Sequence, residues 1–146
     1  MRLFSAITAA AIATAGATVV TGLATAPAFA GDPAAGERLW RQCQACHMVT
    51  APDGEVIQRG QRTGPNLYGV VGRVAGTYPD FRYSPAMVAA GEAGLVWDEE
   101  SFIAYSENPT NFLREFLDDP SARGSMAFNL RSGAEDLFAY LAQFSD

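Results

Sequence analysis

The sequence predicts an all-α domain built from short helices and long loops. Three observations carry that prediction. Apolar residues recur at helical spacing in 31–46 and again in 132–144. Between them stand repeated helix start and stop signals: Ser84-Pro85, Asp98 and Pro109. Residues 50–82 (TAPDGEVIQRGQRTGPNLYGVVGRVAGTYPDFR) are dense in glycine and proline and sustain no alternation, so they read as ordered loops rather than strands.

The N-terminus is set apart from this domain. Arg2 precedes a run of Ala, Thr, Val, Ile, Leu and Gly that ends in APAFAGDP, where Ala28 and Ala30 form an A-x-A pattern. A basic start, an apolar stretch and a small-residue site describe a secretory signal peptide. Cleavage is expected after Ala30, which leaves one domain, residues 31–146. No later stretch is apolar for long enough to cross a bilayer.

The elements of that domain follow in order. Asp32 is placed to cap a helix whose first position is Pro33. Leu39, Trp40 and Cys43 then share one face, and Gly36 is costly there unless something packs closely on it. SPAMVAAGEA forms a short helix from Ser84-Pro85. DEESFIAYSENP starts behind an Asp98 cap and stops before Pro109. PTNFLREFLDDP gives another short helix, and PSARGSMAFNL a loop. SGAEDLFAYLAQF is the last helix, with Leu137, Tyr140, Leu141 and Phe144 on one face. Long loops are unusual in a compact domain. They become reasonable where a large apolar ligand replaces part of the core.

Charge narrows the function classes. Removing residues 1–30 takes away Arg2 and leaves nine arginines and no lysine against sixteen acidic residues, a net −7. Such a surface does not suit nucleic acid, whose phosphates need basic partners. The distribution is uneven. Residues 36–73 are locally +2, whereas 74–106 and 107–146 are each −4. A field of that shape orients a partner during encounter.

The chemistry is concentrated in RQCQACHMVT, residues 41–50. This stretch holds both cysteines, Cys43 and Cys46, and the single histidine, His47. Export into an oxidising compartment would pair two such cysteines unless something else occupied them. A structural zinc site lacks ligands, because no second Cys or His pair exists. A thiol-exchange motif sits in a βαβ context that this chain does not show. C-x-x-C-H is the signature of covalent haem attachment. The two thiols, about one helical turn apart, reach the two vinyl groups, and His47 comes under the iron. With no other histidine, the second axial position falls to methionine, water or nothing. Met48 adjoins His47, and Met87 reads as core. Met126, in a glycine-containing loop far along the chain, is the candidate for the other haem face.

The segments GERLWRQCQACH, RTGPNLYGVVGR, LVWDEESFIAYSENPTNFL, GSMAF and EDLFAYL occur in that order. In this the chain resembles the class I c-type cytochromes, most closely the bacterial cytochrome c2 type, over essentially all of residues 31–146. The resemblance implies an all-α fold wrapped around one covalent haem, with the N- and C-terminal helices crossing and Gly36 and Trp40 packed on Leu137 and Tyr140. It implies thioethers at Cys43 and Cys46, His47 as proximal ligand and Met126 as distal ligand. Pro65 matches the proline whose carbonyl accepts the histidine ring N–H, and Arg73, Tyr83 and Trp97 match residues around the haem propionates. Tyr105 matches the tyrosine beside the methionine sulfur, and Phe128 the aromatic near the exposed haem edge. Taken alone, Trp97, Tyr105 and Phe128 would be plain core.

The same resemblance implies a soluble, monomeric periplasmic electron carrier rather than an enzyme. Its donor would be a cytochrome bc1-type complex, and its acceptor a photosynthetic reaction centre or a terminal oxidase. Two alternatives stand beside it: a haem protein with an accessible iron for gas binding or peroxidase chemistry, and an electron-shuttling subunit of a fixed complex. One departure bears on docking. Family members often ring the haem edge with lysines, and this chain has none.

Overall fold

The structure, a computed structural model, describes residues 29–144. The expected signal peptide therefore lies almost wholly outside the described residues. Five α-helices dominate the described chain: α1 Pro33–Cys43, α2 Pro85–Glu92, α3 Glu99–Glu107, α4 Pro109–Phe116 and α5 Ala134–Leu141. A 3-10 turn, Ala142–Phe144, extends α5.

Each helix starts where its local chemistry directs. The Asp32 carboxylate accepts from the Ala34 N–H, and Pro33 takes the first helical position. The Ser84 hydroxyl accepts from the Met87 N–H at the start of α2. Asp98 and Ser101 form a reciprocal capping box at α3. Asn108 closes α3 and caps α4 through its side chain on the Asn111 N–H. Helix α5 starts differently. Gly133 sits at φ +80°, in the left-handed region, and offers no side-chain cap.

Two expectations are corrected. Residues 50–82 are not wholly loop: β1 Val49–Thr50 pairs antiparallel with β2 Val56–Gln58, in the register Val49↔Gln58 and Thr50↔Val56. Strands of two and three residues are too short for alternation to mark them. An isolated bridge also joins Val74 to Val96. Secondly, α1 stops at Cys43, so Gln44–Cys46 form a turn. The His47 N–H still reaches the Cys43 carbonyl at 2.9 Å, and the Cys46 N–H reaches it at 3.0 Å.

Helices α1 and α5 make the most extensive pairing of elements. The glycine that looked costly explains their approach. A Cβ on Gly36 would overlap the Asp136 carbonyl and lie 2.7 Å from the Tyr140 Cβ. The Asp136 carboxylate in turn accepts from the Asp32 N–H at 2.8 Å, which ties the start of α1 to α5. Helix α5 also packs on α3, and α3 on α4. The core runs through Trp40, Leu113, Leu137, Phe138 and Leu141, all buried.

Candidate functional site

Between these helices and the loops lies a cavity of about 370 Å³. That falls within the roughly 300–1,000 Å³ of small-molecule and cofactor sites. All ten residues singled out from the sequence line it: Cys43, Cys46, His47, Pro65, Arg73, Tyr83, Trp97, Tyr105, Met126 and Phe128. The end of α1 delivers Cys43, the turn that follows it delivers Cys46 and His47, and α3 delivers Tyr105. Loops deliver the rest, so the long loops are cavity wall.

The histidine is held from two sides. Its Nδ1 lies 2.8 Å from the Pro65 carbonyl oxygen. A carbonyl only accepts, so Nδ1 carries the proton and the Nε2 lone pair is left free for a metal. Burial holds the imidazole below its ordinary pKa, with the Pro65 bond opposing, which favours the neutral ligating form. Gly64 lies against the ring: a Cβ there would come within 2.6 Å of Nδ1 and 2.9 Å of Nε2. The Gly64 N–H donates to the Cys46 carbonyl at 2.7 Å, and the Gln61 N–H to the Gln44 carbonyl at 3.0 Å. The loop is thus laced to the C-x-x-C-H turn by its main chain.

The cysteines are not arranged for thiol exchange. Burial, with the neighbouring Cys46 adding to it, pushes the Cys43 thiol up to about 11. An exchange site needs the opposite shift. Among the described residues, no group of three or more His, Cys, Asp or Glu side chains is gathered around a point that would suit a bare ion. The donors present are two thiols, an imidazole and two thioethers, Met87 and Met126, on an apolar cavity wall. That set fits a haem: sulfur for its edge, nitrogen and sulfur for its iron.

The polar wall fits as well. Arg73 is a half-buried guanidinium whose Nη1 donates to the Tyr68 carbonyl at 3.3 Å and whose Nη2 donates to the Asn66 carbonyl at 3.2 Å. It also stacks 5.0 Å from the centre of the Tyr78 ring. Burial lowers its pKa, and the Tyr83 and Tyr78 phenols oppose that. Burial raises the Tyr83 phenol, with Arg73 opposing. A desolvated cation beside neutral phenols is stabilised by an anion such as a carboxylate. Tyr105 is pushed far up by burial, with Tyr83 adding, and its ring meets Trp97 at 5.0 Å and Phe112 at 5.8 Å. It is a neutral wall of the cavity.

Three residues escaped sequence reading. Met87, taken as core, is indeed buried but also lines the cavity. Gly60 allows the loop to cross the His47 carbonyl, which a Cβ would overlap. Asn66 is a buried polar residue behind the wall. Only the TGPN run around Pro65 hinted at the last. In the other direction, Arg73 was counted in the basic 36–73 segment, but its place in the wall removes it from the docking surface.

No family model matches the chain. Individual proteins do. Cytochrome c2 of Rhodobacter capsulatus is 53% identical over 126 residues, covering 86% of this chain and 92% of that protein. Cytochrome c-551 of Roseobacter denitrificans is 56% identical over 121 residues, covering 82% and 86%. Among solved structures, the R. capsulatus cytochrome c2 superposes with a TM-score of 0.75 and covers 77% of this chain and 97% of its own. The cytochrome c2 of Paracoccus denitrificans reaches 0.77 at 41% identity, covering 79% and 97%. With relatives this similar over most of both chains, and with the helical fold they share, this chain belongs to the class I c-type cytochromes, close to cytochrome c2, and its prosthetic group is one covalently attached haem c.

Proposed function

We propose that the chain is a periplasmic single-electron carrier, not an enzyme, with His47 and Met126 as the two axial ligands of its haem iron. The observation that carries this reading is the convergence of Cys43, Cys46, His47 and Met126, from distant parts of the sequence, on one cavity. The group supplies a one-electron ferrous–ferric couple, and His/Met ligation raises its potential. The chain's own part is to hold both axial donors fixed and to exclude water. Pro65 and Gly64 fix the imidazole, and Trp97, Phe102, Leu130 and Leu137 supply apolar wall. Arg73, Tyr83 and Trp97 surround the propionates in this reading. With His47 and Met126 both holding the iron, no substrate would reach it. Reduced protein exposed to carbon monoxide is therefore expected to keep its absorption spectrum. A prompt spectral change on carbon monoxide would favour a gas-binding or peroxidase haem protein instead.

Electrons would cross at the cavity mouth. Cys46 and Phe128 are both exposed there, Phe128 at 41%. Weak, short-lived docking suits a shuttle. The donor is a cytochrome bc1-type complex and the acceptor a reaction centre or terminal oxidase, reached by a monomer released after cleavage at Ala30. Three exposed arginines neighbour residues of the cavity wall: Arg41 precedes Gln42 and Arg62 precedes Thr63 in the chain, and Arg131 shares a small cleft with Phe128 and Gln42. These three stand where the missing lysines would act. The triple change Arg41→Gln, Arg62→Gln, Arg131→Gln is expected to slow association with a redox partner about tenfold at low salt and little at high salt. A salt-independent rate equal to wild type would place docking on an apolar contact instead.

A further inference from the structure

Asn66 lines no part of the cavity, yet it is the most densely bonded side chain behind it. It is buried, at 9% exposure. Its Oδ1 accepts from the Thr50 N–H at 3.0 Å and the Tyr68 N–H at 3.1 Å. Its Nδ2 donates to the Thr50 carbonyl at 2.7 Å and the Tyr78 hydroxyl at 3.1 Å. The side-chain amide thus pairs with both main-chain groups of Thr50, as a neighbouring strand would.

Position gives this pairing its meaning. Thr50 lies three residues after His47, and Asn66 directly follows Pro65. The two segments run past each other with His47 on Pro65, the Leu67 N–H on the Met48 carbonyl at 2.9 Å, and Asn66 on Thr50. Without Asn66, the main-chain bonds of Gly64 to Cys46 and of Leu67 to Met48 are left to hold the Pro65 carbonyl in register with the imidazole, and both pairings with Thr50 are lost. On its other side, the Asn66 carbonyl accepts from Arg73. One residue therefore joins the cavity's half-buried cation to the histidine's hydrogen-bond acceptor.

We propose that Asn66 is a positioning residue: it sets the strength of the His47–Pro65 hydrogen bond and, through it, the reduction potential. This rests on the reading of His47 as an axial ligand. A firm Nδ1–H···O bond makes the imidazole a stronger donor, which favours the ferric state. Loosening it raises the potential.

The test compares holo wild type, Asn66→Ala and Tyr78→Phe in the reduced state. In Asn66→Ala the His47 ring N–H is expected to exchange about tenfold faster, as loss of roughly one hydrogen bond's worth of protection implies, and the potential to rise. Tyr78→Phe removes the bond to the Tyr78 hydroxyl and keeps both pairings of Asn66 with Thr50, so ring exchange stays at the wild-type value. An Asn66→Ala protein that melts earlier but keeps wild-type ring exchange and potential would show a merely structural residue and overturn the proposal. Should Asn66→Ala yield no holoprotein, wild type decides. The Thr50 amide and the His47 ring N–H are expected to exchange through one opening, with rates within about threefold; a ring proton exchanging much faster than the Thr50 amide overturns the proposal. Failure of the underlying reading looks different: wild-type His47 would then show no haem-shifted ring resonances at all.

Discussion

A chain with both Cys43→Ala and Cys46→Ala, and hence no covalent haem, is expected to lose its cooperative fold. The cavity these residues open on has a volume of about 370 Å³. At ~24 cal/mol per Å³ of enclosed unfilled space, its loss of filling costs at most on the order of 9 kcal/mol, an upper bound because the mouth admits water. Total stability for a domain of this size is about 5–15 kcal/mol. The described helices are eight to eleven residues long, too short to persist alone in water. Far-UV circular dichroism should show reduced helix content and no sharp thermal transition. A haem-free chain that melts cooperatively would mean that the protein core is sufficient by itself.

The second large effect belongs to Met126→Ala. Met126 is partly buried on the cavity wall, in a loop pinned at both ends. The Leu130 N–H donates to the Ser106 carbonyl at 2.8 Å, and the Arg114 Nε to the Ala122 carbonyl at 3.3 Å. Gly124 beside it packs toward Leu113 and the Tyr105 hydroxyl. With Met126 as the proposed second ligand, truncating it would leave that iron position without a protein donor while its loop stays in place. The reduced variant should take up carbon monoxide, and its potential should fall by on the order of 0.2 V, within the ~0.8 V that axial ligands span. Met87→Ala is the matched comparison, because Met87 is a second thioether on the same cavity. It should leave the spectrum unchanged. If the two variants exchanged behaviours, Met87 rather than Met126 would be the ligand.

Much of this was legible in the sequence, for reasons that differ by element. Asp32, Ser84 and Asp98 cap helices through contacts two or three residues away, so local pattern suffices to find them. The C-x-x-C-H run is legible because its chemistry is contiguous. Pro65, Arg73, Tyr83, Trp97, Tyr105 and Phe128 were legible only through resemblance; as isolated residues they are ordinary. β1 and β2 were missed because two- and three-residue strands carry no period. Gly60, Gly64 and Asn66 owe their roles to a loop that returns to the His47 turn, and nothing local announces that return. Arg73 misled in the opposite sense: its charge counted toward a basic surface, while its guanidinium is bonded to two main-chain carbonyls inside the wall.

The most direct test of the carrier reading is a spectroelectrochemical titration of the purified wild-type protein, with Met126→Ala beside it. The account predicts one reversible one-electron wave, a sulfur-to-iron absorption band in the ferric state, and a midpoint well above that of Met126→Ala. Hysteresis between the reductive and oxidative directions, no sulfur band, or a midpoint equal to that of Met126→Ala would contradict it.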